Sequence, residues 1–79
     1  MPSDTDTPVA VREGTPTQKL VYKVLDHADD ALDQAAIAER SLLPKRSVRE
    51  ALGHLEDAGV VESTTYMPDA RKKIYRLDK

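Results

Sequence analysis

The stretch SVREALGHLEDAGVV, residues 47–61, decides the fold of this chain. Apolar side chains recur in it at helical spacing, at Val48, Ala51, Leu52 and Leu55. Gly59 then supplies the left-handed conformation that commonly ends a helix, and β-branched residues follow it at a spacing of two. The sequence therefore predicts an amphipathic helix over residues 44–58 that leads directly into a strand over residues 60–66.

Two earlier helices and a second strand are predicted on either side of this stretch. Thr15 is a helix N-cap before Pro16, and an apolar stripe follows at Leu20, Val21, Val24, Leu25 and Ala28. Asp33 caps a short helix that runs to Arg40, after a very short strand at residues 31–32. Turn-forming residues at 67–70 separate the strand over 60–66 from a strand over 72–77.

Length limits the chain to one domain, because 79 residues bury only a thin core. The first residues are rich in Pro, Ser, Thr and Asp and offer few groups that could anchor them. We therefore expect a disordered leader over residues 1–14 and a folded domain over residues 15–79.

Several function classes find no support in the composition. The chain has no cysteine, no glycine-rich phosphate loop and no histidine placed beside a serine, so we expect no enzyme and no cofactor. His27 and His54 lack acidic or thiol partners at metal-ligand spacing. No apolar run reaches the length of about 20 residues that spans a bilayer, and no signal peptide is present, so we expect a cytoplasmic protein.

Charge is divided unevenly along the chain. The net charge is −2, yet residues 1–43 carry 8 acidic and 4 basic side chains, whereas residues 44–79 carry 8 basic and 6 acidic ones. The basic excess in the second half points weakly to a polyanionic partner.

The order of elements, with these residues, resembles the winged helix-turn-helix superfamily, and particularly the MarR-like regulators of bacteria and archaea. Three segments carry the resemblance: LDQAAIAE at 32–39, SVREAL at 47–52 continued by LEDAGVV at 55–61, and DAR at 69–71. The resemblance implies an α+β fold of three helices and a C-terminal β-hairpin wing, with a short strand after the first helix. It also implies that the domain is a small transcriptional regulator that binds double-stranded DNA in a sequence-specific way.

Two features depart from the family pattern. Leu42 occupies the turn position that usually holds glycine, and a leucine at positive φ costs about 1 kcal/mol or more, so a different turn shape is possible here. The flanking dimerisation helices of the family also have no counterpart in this sequence. A homodimer contact through the first helix is expected only if part of its apolar stripe stays exposed.

The resemblance places the third helix in the DNA major groove. Arg46 and Arg49 are three residues apart on one side of this helix, so they are the candidates for reading guanine bases. Lys45, Ser47 and, from the second helix, Gln34 are candidates for phosphate contacts.

The wing carries a second basic run. On the resemblance, Arg71 approaches the minor groove, and Asp69 holds the turn by pairing with Arg71 or by capping it. Because side chains alternate along a strand, we expect one of Lys72 and Lys73 to contact phosphate and the other to stay solvated.

A protein-interaction module is the alternative function, since winged helices also serve as adaptors in transcription and replication machinery. An exposed apolar patch on the first helix or the wing, with weak DNA binding that hardly responds to salt, would favour it. No small-molecule ligand is expected.

Overall fold

The computed structural model describes residues 9–28, 30–69 and 71–78. Its elements are α1 (Val9–Arg12), α2 (Pro16–His27), β1 (Leu32–Asp33), α3 (Gln34–Ser41), α4 (Lys45–Asp57), β2 (Val61–Thr65) and β3 (Lys73–Leu77). The predicted α+β class and order of elements are confirmed, with α1 as an addition. Within the described ranges, no helix is both long and apolar enough to cross a membrane.

The core forms around the apolar face of α4. Its four inward residues are at most 2% exposed: Val48, Ala51, Leu52 and Leu55. They belong to one buried cluster with Val21 and Leu25 of α2 and Ile37 of α3. Burial of this face leaves the opposite face of α4 to solvent, as the helical spacing predicts.

Local signals in the sequence set the ends of the helices. The Thr15 hydroxyl accepts a hydrogen bond from the Gln18 N–H at 3.2 Å, and the Asp33 carboxylate accepts one from the Ala36 N–H at 2.7 Å. Gly59 has a φ of 76° at the end of α4. Both predicted N-caps and the predicted glycine stop are therefore confirmed.

A small antiparallel sheet completes the fold, with strand order β1-β3-β2. Strand β2 pairs with β3 from Val61 opposite Leu77 to Thr65 opposite Lys73. Strand β1 adds only two residues to the other edge of β3, with Asp33 opposite Ile74. We call β2, β3 and the turn between them the wing.

The folded unit begins before Thr15, which corrects the predicted leader for residues 9–12. These residues form α1, and Val11 is 2% exposed within the core cluster. Val11 is the buried residue that anchors α1. The prediction missed it because residues 1–8 are rich in polar residues and proline. Residues 1–8 of the expected leader lie outside the described residues.

The apolar stripe of α2 is only partly buried. Val21 and Leu25 lie in the core, whereas Leu20 is 38% exposed. Part of the stripe thus stays exposed, which was the condition for a homodimer contact through this helix. That contact remains a prediction.

The turn between α3 and α4 keeps the left-handed shape although a leucine occupies it. Leu42 has φ 61° and ψ 27°, and its side chain is 91% exposed. The Leu43 N–H donates to the Ala38 carbonyl at 3.2 Å and to the Ser41 hydroxyl at 3.3 Å. These hydrogen bonds hold a backbone conformation that leucine does not favour.

We predict that Leu42→Gly stabilises the protein by about 0.5–1 kcal/mol, because glycine removes the left-handed strain while no packed side chain is lost. Thermal and urea unfolding measure the effect. Leu43→Gly is the matched control and should lower stability, since Leu43 packs against the core. An unchanged or lower melting temperature for Leu42→Gly would contradict the prediction.

Candidate nucleic-acid interface

Three of the residues predicted to contact DNA are cations at the start of α4. Lys45, Arg46 and Arg49 are all exposed, because the buried face of the helix points the other way. The Arg46 side chain is 90% exposed and its Nε lies 4.0 Å from a carboxylate oxygen of Glu50, one turn further along. Such an exposed pair is weak, so the Arg46 guanidinium stays in solvent.

Gln34 and Ser47 are less free than these cations. The Gln34 amide donates through Nε2 to the Lys45 carbonyl at 3.1 Å, which joins the first residue of α3 to the first residue of α4. Ser47 is half-buried in a groove that also contains Thr15 and Thr17, at the start of α2.

The wing and the start of α3 enclose an open groove of about 360 Å³. Its lining residues are Asp33, Gln34, Ala35, Arg71, Lys72, Lys73 and Tyr75. Half of the predicted contact residues therefore meet in this groove, although they are distant in sequence.

Asp33 joins the wing to α3. Its carboxylate caps α3 and also lies 3.2 Å from the Lys72 ammonium. The Ala36 N–H, and after it the Lys72 ammonium, lower the pKa of the Asp33 carboxyl below its usual value. The Lys72 ammonium also lies 5.5 Å from the centre of the Tyr66 ring, within the range of a cation–π contact.

The other two wing cations are more open. Arg71 is 92% exposed, with its Nε 3.4 Å from the Asp69 carboxylate, and the Arg71 N–H donates to the same oxygen at 3.1 Å. Lys73 is exposed at the start of β3, and no ion pair links it to another described residue. Asp69 therefore both pairs with the Arg71 guanidinium and caps the turn, which are the two predicted roles.

Arg49 lies on the side of α4 that faces the wing. Burial raises the pKa of the Tyr75 hydroxyl, the Glu56 carboxylate raises it further, and the positive charge of Arg49 opposes both. The Ser63 hydroxyl donates to Glu56 at 2.9 Å, which attaches β2 to α4. The wing is therefore attached to the C-terminal end of α4.

Several solved structures share this architecture. The PcaV transcriptional regulator from Streptomyces coelicolor, in complex with its natural ligand, is 28% identical, with a TM-score of 0.78 over 85% of this chain and 47% of PcaV. A MepR variant from S. aureus, bound to an oligodeoxyribonucleotide, is 26% identical, with a TM-score of 0.75 over 82% and 48% of the two chains. A MarR family transcription regulator is 21% identical, with a TM-score of 0.77 over 87% and 46%.

This chain has a winged helix-turn-helix fold and is similar to MarR-family transcription regulators. It spans about half the length of the solved structures that it matches. No protein-family model matches the sequence, and no curated protein matches it significantly.

The predicted contact residues of this MarR-like domain form two groups. Lys45, Arg46, Ser47 and Arg49 lie on α4, and Gln34, Arg71, Lys72 and Lys73 line the groove at the wing. The hydrogen bond from Gln34 to Lys45 links the two groups. Their contacts with DNA remain predictions.

The role of Asp33 beyond its N-cap was missed by the sequence reasoning. Asp33 and Lys72 are far apart in the chain, and only the pairing of β1 with β3 brings them together. Of the two wing lysines, Lys72 is thus the one with an internal partner, so Lys73 becomes the better candidate for a phosphate contact.

We predict that the Asp33–Lys72 ion pair contributes stability that depends on pH. Asp33→Asn keeps an N-cap and loses only the charge, so it should cost no more than about 1 kcal/mol at neutral pH, whereas Asp33→Ala should cost about 1–2 kcal/mol. Because the Ala36 N–H, and after it the Lys72 ammonium, lower the folded-state pKa of Asp33, the stability that the carboxylate gains from both partners is present above pH about 3.9 and is lost as the pH falls through the lowered value.

Urea unfolding of wild type, Asp33→Asn, Lys72→Met and the double variant across this pH range tests the prediction. Each single variant should remove the same interaction, so the double variant should cost less than the sum of the two. Additive losses, or a difference from wild type that persists at low pH, would show that the pair is not coupled.

Proposed function

We propose that this domain binds double-stranded DNA in a sequence-specific way as part of a transcriptional regulator, with α4 in the major groove. The observation that supports this most directly is the exposed cationic start of α4, with Lys45, Arg46 and Arg49 on the face opposite the core. A recognition helix reads base edges mainly through residues near its N-terminus. The matched MepR structure contains an oligodeoxyribonucleotide, which is consistent with this role.

Arg46 and Arg49 are suited to different parts of the groove. Arg46 points away from the core, and its pair with Glu50 is weak enough to leave the guanidinium available to a guanine edge. Arg49 lies nearer the wing, where its charge acts on Tyr75. Lys45, a flexible point charge beside Gln34, is better suited to a phosphate.

The outer face of α4 is flat at its middle. A Cβ added to Gly53 would meet no other atom, so packing within the chain does not require glycine there. Glycine inside a helix costs about 1 kcal/mol relative to alanine. Gly53 lies seven residues after Arg46, and the absence of a side chain there allows the DNA backbone at the edge of the groove to approach α4 closely. This close approach would explain the glycine.

The wing is proposed to contact the minor groove or the adjacent backbone. Arg71 and Lys73 are the freer cations, and Lys72 is partly neutralised by Asp33. We therefore assign Arg71 to the minor groove and Lys73 to a phosphate, with Lys72 holding the wing in position.

A protein-interaction module is the second candidate. The exposure of Leu20 on α2 and of Met67 in the wing turn favours it, because these are the two places where an adaptor surface was expected. Weak DNA binding that hardly changes with salt would support this candidate over the first.

We expect NMR titration of the labelled protein with a generic DNA duplex to shift the amide resonances of residues 45–49 and 66–73. Counterion release makes phosphate binding salt-dependent, so the shifts should fade as the salt concentration rises. The absence of shifts at low salt would exclude DNA binding and favour the protein-interaction module.

Side-chain substitutions separate base reading from phosphate binding. After selection of a preferred duplex from a random pool, Arg46→Ala and Arg49→Ala should each lose about 1–3 kcal/mol of discrimination at one base pair. Lys45→Ala should weaken binding to all sequences alike and reduce the salt slope by about one.

Fluorescence anisotropy with the selected and scrambled duplexes measures both effects. Lys19→Ala is the matched control, since Lys19 is an exposed cation on α2, away from the proposed surface. Equal losses on every sequence for the arginine variants would remove them from the reading role.

A further inference from the structure

The turn of the wing presents an exposed apolar side chain. Met67 is 87% exposed, and Pro68 beside it is exposed as well. The core cluster contains no described residue of this turn, so Met67 does not stabilise the folded chain by burial.

Hydrogen bonds hold the backbone around Met67 in place. The Tyr66 N–H donates to the Lys72 carbonyl at 2.9 Å, and the Lys72 N–H donates to the Asp69 carbonyl at 2.9 Å. The Asp69 N–H donates to the Tyr66 carbonyl at 3.0 Å. The apolar side chain therefore projects from an ordered support, which lowers the entropic cost of inserting it into a partner.

Two exposed cations follow this apolar tip in the chain. Arg71 is 92% exposed, and Lys73 lies at the start of β3. The acidic group of the turn, Asp69, accepts a hydrogen bond from the Arg71 N–H and lies 3.4 Å from the Arg71 guanidinium, so it offsets part of that charge. An apolar tip with cations beside it complements a partner that has an apolar interior and anionic edges.

Duplex DNA has this arrangement, with stacked bases between two rows of phosphates. Its minor groove is about 6 Å wide, which admits the narrow, unbranched side chain of methionine. Apolar side chains that enter from this groove can unstack a base step and bend the duplex.

We propose that Met67 is an apolar wedge that enters the minor groove, partly unstacks one base step and bends the DNA, while Arg71 lies in the same groove and Lys73 neutralises a neighbouring phosphate. This inference rests on the proposed DNA-binding function and adds a DNA deformation to it. Flexible pyrimidine–purine steps such as TA accept such a wedge most easily, so the wing selects sequence through deformability rather than through hydrogen bonds.

The test uses the full chain and a duplex of about 24 base pairs with an A·T-rich centre containing TA steps, labelled at its ends with a fluorescent donor and acceptor. Wild-type protein should raise energy transfer, as expected for a bend of about 20–90°. Met67→Ala should lose most of this rise and bind about tenfold more weakly, whereas Met67→Leu should retain both.

The salt dependence separates the wedge from its cationic neighbours. Met67→Ala should leave the slope of affinity against salt unchanged, because no counterion is released by an apolar contact, whereas Lys73→Ala should reduce it by about one. Val9→Ala, which truncates an exposed apolar residue on α1, should behave as wild type in every assay.

Three outcomes would overturn the inference in distinguishable ways. If wild type binds the duplex but Met67→Ala bends and binds it equally well, the wedge is excluded and the DNA-binding function stands. If wild type does not bind the duplex even at low salt, both proposals fail. Binding of wild type to anionic phospholipid vesicles that is lost in Met67→Ala, without any effect of this variant on DNA, would assign the tip to a membrane surface.

Discussion

Burial of one face of α4 is the constraint on which the rest of this structure depends. Val48, Leu52 and Leu55 cannot leave the core without exposing most of the apolar surface that α2, α3 and the first residues of β2 share. Once that face is fixed, helix geometry alone directs Arg46 and Arg49 outward. The side chains that make the fold stable therefore also set the direction of the surface that is proposed to read DNA.

Asp33 extends this constraint from the helices to the wing. One carboxylate caps α3 and pairs with Lys72, and its backbone lies in β1, opposite Ile74. The Ser63–Glu56 hydrogen bond attaches the wing to α4 on the other side. Because a two-stranded hairpin is only marginally stable alone, these attachments hold the wing at a fixed position relative to α4.

Most of the fold could be predicted because its signals are local. The caps at Thr15 and Asp33 and the stop at Gly59 each depend on a few neighbouring residues. The α1 turn was missed because the burial of its anchor, Val11, depends on residues that are distant in the chain. Likewise, the site residues were predicted one by one, but the grouping of Gln34 with the wing cations, and the pairing of Lys72 with Asp33, arise only from tertiary structure.

The distribution of ion pairs determines which cations of this acidic chain remain available to a polyanion. It therefore also bears on the affinity for DNA under the proposed function. Three carboxylates in this region are paired: Glu50 with Arg46, Asp33 with Lys72, and Asp69 with Arg71. A cation in such a pair attracts phosphate less strongly than an unpaired one, so long-range attraction falls mainly to Lys45, Arg49 and Lys73. Few phosphate contacts release few counterions, which limits non-specific affinity. Under the proposed function, a single domain of this kind would therefore draw much of its binding free energy from contacts that depend on base sequence and on the shape of the duplex.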